Sequence, residues 1–268
     1  MPLPGASVAR GPVVASAPRL KRFPDVHALF RRREVWLPTA WGLLLGLLIL
    51  AAAGVLVGRG AYGFFAVDEP LPPHDGKPTP VLVVEGWIDE EALAQAAAVV
   101  RSAGYTRVLV SGGPIDDSFS RHRTYADRAV EVLRPQLPAG LRIDAVPSPR
   151  TAQDRSYASA VWVRDWAQRE GLAMDRFDVV THSIHARRTR LVYRMAFGPD
   201  AAVGVRATTP RQFDAQHWWR SSAAFKAQIG EALSLAYTHC CFWPAPRGSH
   251  EERWAVPPAG AGAATPAR

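Results

Sequence analysis

A chain of 268 residues, 48% of them hydrophobic, is long enough for one sizeable core with appendages. Its formal net charge of +8 is unevenly spread: residues 1–35 carry seven Arg and Lys against Asp25 and Glu34, and the remainder holds 25 against 22. A nearly balanced domain argues against a nucleic-acid partner, which would call for a basic face on the domain itself. The adjacent Cys240 and Cys241 imply no disulfide framework, because a bridge between neighbours closes a small strained ring. They read as small apolar fillers near a helix end, with lipidation close to a membrane as the alternative.

Residues 1–35 are rich in Pro, Ala and Arg, lack periodicity, and are expected to form a disordered basic arm. Residues 36–58 follow, Trp36 to Gly58, without a charged side chain. At 1.5 Å per residue this run is about 34 Å long, enough to cross the hydrocarbon core of a bilayer. Arg31, Arg32 and Arg33 precede it, and Arg59 is the only charge between it and Asp68. The positive-inside rule then predicts a plasma-membrane protein with one pass. Its N-terminus would be cytoplasmic and its domain in the periplasm or outside the cell. A signal peptide cut near Ala51-Ala52-Ala53 is the competing reading; the apolar run is longer than the usual signal core. Residues 59–79 hold Pro70, Pro72, Pro73 and Pro78 and predict a stiff, extended linker.

A folded domain is expected over 80–243. Val81–Val84, Arg107–Val110, Leu141–Val146, Asp178–Val180 and Ala202–Val205 are short apolar runs that read as buried strands. Helical spacing occupies the gaps: Asp89–Ala103, Tyr125–Leu133, a helix from Thr151 or Asp154 to Glu170, and Ala186–Phe197. The alternation predicts an α/β fold, a Rossmann-like parallel five-stranded sheet between helices, preceded by a single transmembrane helix. Gln212–Tyr237 should add one or two helices, and residues 244–268, rich in Pro, Ala and Gly, are expected to be disordered.

Ligands of such sheets bind beyond the carboxyl ends of the strands. The residues found there are Glu85-Gly86-Trp87, then Ser111-Gly112-Gly113, then Ser148, Arg150, Thr151 and Asp154, then Thr181, His182, Ser183 and His185. The last turn runs into Arg187-Arg188, so anion-binding side chains gather where a strand meets a helix N-terminus. A solvated face of Arg187, Arg188 and Arg190, with hydroxyls that only cap, is the competing reading. Neither GxGxxG nor a Walker A sequence is present. GxSxG is also missing around Ser183, since Thr181 and His185 occupy the glycine positions.

The order of these motifs resembles the YdcF/SanA/ElyC-like family of bacterial envelope proteins, over about residues 80–206. Ser111-Gly112-Gly113 resembles that family's Ser-Gly-Gly. Thr151-Ala152-Gln153-Asp154-Arg155 resembles its Thr-x-x-Glu-Asn, with Asp for Glu and Arg for Asn. Thr181-His182-Ser183-Ile184-His185-Ala186-Arg187-Arg188 resembles its Thr-Ser-x-x-His-x-x-Arg, with His182 for Ser. The resemblance implies a Rossmann-like domain outside the cytoplasm and a role in envelope or surface-polysaccharide biogenesis. It supplies no established reaction and no cofactor.

The residues themselves predict a site for a phosphorylated or nucleotide-like ligand. Arg188, with Arg150 or Arg187, would clamp phosphate oxygens, and N–H groups of Gly112, Gly113 and the helix start at His185 would cradle them. Glu85 would be the general base or would order a sugar hydroxyl, and His185 would be the proton donor, with Trp87 stacking on a sugar or base ring. A metal shared by His182 and His185 with Glu85 or Asp154 is a weaker reading than metal-free histidines. The functional alternative is a non-catalytic scaffold that recruits an envelope-biogenesis partner through the Trp218-Trp219 helix.

Overall fold

The computed structural model describes residues 37–75, 79–117, 120–151, 155–249 and 251–253. Contacts divide the chain into two units, up to Leu50 and from Ala51 onward. Helix α1, Ala40–Phe65, runs through that division. Its 26 residues make it about 39 Å long, and it is apolar enough to cross a membrane. Leu43, Leu47, Leu50 and Leu56 are all exposed along it, an arrangement suited to lipid rather than water. The helix continues past Gly58, where the apolar run ends. Tertiary contacts hold these last turns despite Gly60 and Gly63: the Trp218 indole donates to the Gly58 carbonyl at 2.9 Å, Gln228 donates to Ala61 at 3.2 Å, and Phe65 packs on Ile184 and Leu235.

Five strands form the sheet: β1 Val81–Glu85, β2 Arg107–Gly112, β3 Arg142–Pro147, β4 Arg176–His182 and β5 Ala202–Thr208. All neighbours pair in parallel, in the order β3-β2-β1-β4-β5. The helices are α2 Glu90–Ala103, α3 Tyr125–Leu133, α4 Arg155–Arg169, α5 Ala186–Phe197 and α6 Ser222–Cys240. Helices cover both faces, which explains why the strands are continuous apolar runs. Along β1, Val81 and Val83 enter the core under α4 and α5, and Leu82 and Val84 enter the one under α2 and α3. All four are at most 2% exposed, and each contributes roughly 1.5–3 kcal/mol by burial. Local chemistry places the helix starts. Asp89 accepts from Ala92 N at 2.8 Å to open α2, which Gly104 closes at φ 75°, and Thr124 caps α3 through Asp127 N.

The segment after α1 is bound to the sheet rather than a free spacer. Glu69 exchanges two backbone hydrogen bonds with Val205 on the outer edge of β5. Leu71 N then reaches over β5 to Asp178 Oδ1 on β4, at 2.9 Å. Gly204 makes this possible, since a Cβ there would collide with Asp178 and stand 2.6 Å from Leu71 N. The bridge also closes an edge that would otherwise leave backbone groups unpaired.

The C-terminal expectation needs a correction in its first part. Residues 244–249 and 251–253 are placed, and Glu252 is fully buried. Glu252 accepts from Arg164 at 2.7 and 2.9 Å, Tyr157 OH at 2.9 Å and Gly248 N at 2.6 Å. One buried carboxylate with four donors anchors a stretch whose composition has no core-forming signal. Residues 254–268 and the basic arm expected over 1–35 lie outside the described residues. Cys240 and Cys241, expected to be simple fillers, are joined by a disulfide at the end of α6.

Candidate functional site

The chain builds β1, β2 and β3 to one side, then crosses back to place β4 on the other side of β1. Strand order therefore reverses between β1 and β4, whose carboxyl ends carry Glu85 and the Thr181–His185 turn. A cleft of about 680 Å³ opens there. Among the predicted residues, Glu85, Trp87, Gly112, Gly113, Arg150, Thr151, His185 and Arg188 line it. The starts of α3, α4 and α5 reach it through Tyr125, Arg155 and His185.

Other predicted residues take different places. Ser111 and Thr181 lie beneath the floor, 1% and 0% exposed. His182 sits beside the start of α2, 3.9 Å from Asp89 Oδ2. Burial, then the neighbouring His185, holds its pKa below the ordinary imidazole value. Ser183 and Arg187 turn towards α1. The Ser183 hydroxyl is 2.9 Å from Tyr62 OH, and Arg187 donates to the Phe64 carbonyl and lies 4.2 Å over its ring. The expected clamp of Arg188 with Arg187 is thus not formed. Asp154 lies outside the described residues. Among the described residues no three His, Cys, Asp or Glu side chains gather as a metal site.

Glycine positions two of the walls. A Cβ at Gly86 or Gly112 would stand 2.6–3.0 Å from the backbone of Tyr125 or Ala126, so both glycines let the start of α3 close on the sheet. Gly112 acts in packing as well as in lining the cleft. Ser183 has φ 40°, a conformation that costs a non-glycine residue energy. This bend takes the chain from β4 into α5 and brings His185 and Arg188 round to the cleft.

Two buried acids, Glu85 and Glu231, organise the chemistry. Glu85 is 2% exposed, and the Thr181 hydroxyl donates to its Oε2, with Thr189 Oγ1 at 3.3 Å. Burial raises its pKa above the usual carboxyl range, against the pull of Thr181, His185 and Arg188. Glu231, from the middle of α6, was not foreseen. It is 3% exposed and lies 2.6 Å from His185 Nδ1, with Arg188 Nε at 2.7 Å and Nη2 at 3.1 Å. Burial would raise Glu231, but the bonds from His185 and Arg188 outweigh it and hold the carboxyl below its ordinary value. An ionised Glu231 can only accept, so the proton sits on Nδ1 of His185 and Nε2 is left to exchange one. With that tautomer the 3.3 Å approach of Arg188 Nη2 to Nδ1 is a contact around a shared carboxylate, not a hydrogen bond. The Trp87 ring meets His185 edge-on at 5.1 Å and fixes the imidazole from the other side.

The cations on the rim differ in availability. Arg150 pairs with Asp116 between the loops after β3 and β2. Arg188 is held by Glu231, and its Nη1 is 3.4 Å from Ser156 Oγ. Arg155 is exposed at the start of α4, with no ion-pair partner among the described residues. In the sequence Arg155 stands out only as the Arg in place of a motif's Asn. Glu231 had no signal at all, since a carboxylate in a C-terminal helix carries no mark of the partner it will find. Trp218, expected on a partner-recruiting face, is instead buried against α1.

Fold and cleft together define a parallel, helix-flanked α/β domain with, among the described residues, one helix long and apolar enough to cross a membrane. No protein-family model matches the chain, and no curated protein matches it.

Proposed function

We propose that this is a membrane-anchored protein of the bacterial cell envelope whose domain lies outside the cytoplasm and binds a phosphorylated or nucleotide-like small molecule in the cleft at the β1–β4 reversal. The observation that carries this reading is the composition of the rim. Arg155 and Arg188 stand with the N-terminal ends of α3, α4 and α5 around a cavity of about 680 Å³, a setting that favours an anion carrying several oxygens. Trp87, 40% exposed at the edge, offers a face to a sugar or base. The charge-free run before Arg59, with Arg31-Arg32-Arg33 on its other side, supports the orientation. The motif resemblance to the YdcF/SanA/ElyC-like family supports the envelope setting.

The acid–base pair supports cleavage or transfer of the phosphoryl ester. A water or acceptor hydroxyl attacks phosphorus and gives its proton to Glu85. The P–O bond to the leaving group breaks, and the His185 imidazolium, stabilised by Glu231, gives its proton to the departing oxygen. Calorimetric titration of the full chain in detergent with uridine monophosphate and with inorganic phosphate tests the site. Saturable binding that weakens at least about tenfold in Arg155→Ala or Arg188→Ala is expected, equivalent to losing one charge-assisted contact. Glu85→Gln and His185→Asn should then bind but turn over no phosphate ester. Absence of binding to any phosphorylated compound would end the reading.

A further inference from the structure

Helix α6 is built inside out. Its buried side, Ala224, Gln228, Glu231, Leu235 and Thr238, contains three polar residues, and its exposed side carries Phe225, Ile229, Leu233 and Tyr237. At about 100° per residue, Leu233 lies about 180° round the helix from Ala224. The inward face is polar because Glu231 and Gln228 have fixed partners there. The outward apolar stripe has no such reason, and its first part, Phe225 and Ile229 beside the exposed Trp219, makes an aromatic and aliphatic patch that calls for a non-aqueous neighbour.

Its position against α1 says which neighbour. Trp218 bonds to Gly58, Gln228 to Ala61, and Leu235 packs with Phe65, so positions advance together along the two helices. The start of α6 is therefore level with the apolar run of α1, and its later turns are level with Phe65. Between them lies an apolar groove of about 420 Å³, walled by Ala51, Gly54, Val55 and Gly58 on one side and Trp218, Trp219 and Phe225 on the other. Nothing stands within 4 Å of where a Cβ would sit on Gly54 or Gly58. Arg59 lines it, Arg220 and Lys226 are exposed next in sequence to the wall residues Trp219 and Phe225, and the one carboxylate of α6, Glu231, faces inwards.

We infer that the corner from Trp218 to Ile229 is a second membrane-embedded element and that the groove against α1 takes the acyl chain of a bilayer lipid. Apolar walls continuous with the spanning run select hydrocarbon, and the three cations select an anionic headgroup above it. The inference rests on α1 being an anchor, and its test separates the two. The full chain, with Cys240→Ser and Cys241→Ser, is placed in vesicles of phosphatidylethanolamine and phosphatidylglycerol. Single nitroxide labels are introduced at Leu47→Cys, Gly54→Cys, Trp219→Cys, Phe225→Cys, Ile229→Cys, Tyr237→Cys and Glu170→Cys. Relaxation by oxygen, which concentrates in lipid, is compared with relaxation by a water-soluble nickel chelate. Oxygen should dominate severalfold at positions 54, 219 and 225 as at 47, weaken at 229, and yield to nickel at 237 and 170. The Gly54 label reads the groove from α1 without altering the aromatic corner. Nickel access at 54, 219 and 225 equal to that at 170, with 47 in lipid, overturns the inference and leaves the anchor standing. Shielding from both reagents also overturns it, and dipolar broadening would then point to a second copy. Nickel access at 47 as well removes the anchor itself.

Discussion

Replacing Glu231 by alanine removes the carboxylate shared by His185 and Arg188 without touching the cleft wall. The side chain is 2% exposed and its oxygens lie 2.6 Å from His185 Nδ1 and 2.7 Å from Arg188 Nε. Breaking a buried pair costs about 3–5 kcal/mol because one charge is left uncompensated. The Arg188 side chain is 18% exposed at an open cleft, so solvent recovers part of that and about 3 kcal/mol is expected. For a chain of this size the loss lowers Tm by about 6–12 °C. Circular dichroism of the full chain in detergent reads it, with Glu231→Gln expected between wild type and alanine. The double variant with Arg188→Ala should be less destabilised than the sum of the singles, because the second substitution removes the stranded charge. The pH dependence has a definite sign. The Glu231 pKa is depressed from its ordinary 4.5, so its contribution is complete above pH 4.5 and fades as pH falls through the depressed value. The gap between wild type and Glu231→Gln should close in that acidic window. Additive singles, or a gap that persists unchanged through it, would refute the shared-carboxylate argument.

The Glu85 pKa is raised, so its ionisation costs stability as pH climbs from 4.5 towards the folded value. Glu85→Gln should therefore gain Tm relative to wild type as pH climbs above 4.5, and a difference that stays constant with pH would contradict the burial argument. Gly204→Ala should cost about 1–3 kcal/mol by overpacking. It should also speed proteolysis near Leu71, whose amide is displaced from Asp178. Glu252→Ala strands Arg164, which keeps Asp165 at 2.8 Å. A loss of about 3 kcal/mol by denaturant unfolding is expected, and a neutral result would mean the terminal segment adds nothing to the fold.

Strands and most helices were legible because burial on both faces writes each strand as an unbroken apolar run. The helix caps Asp89 and Thr124 are local signals of the same kind. The cleft was half legible. Residues just past the strand ends could be placed at one edge by topology alone, which is why Glu85, Gly113, Thr151 and Arg188 meet. Side-chain direction within a turn was not readable. Adjacent residues on a helix start diverge by about 100°, so Arg188 enters the cleft and Arg187 leaves it for Phe64.

Composition and periodicity alone determined the spanning-length apolar helix after Trp36 and the parallel helix-flanked sheet, because both depend on how apolar residues are spaced along a stretch. Tertiary structure alone decided the partners of lone polar groups. Glu231 and Glu252 come from segments after the sheet and reach His185 and Arg164 across long separations. A carboxylate finds its cation through the packing of whole elements, and no local pattern encodes that meeting.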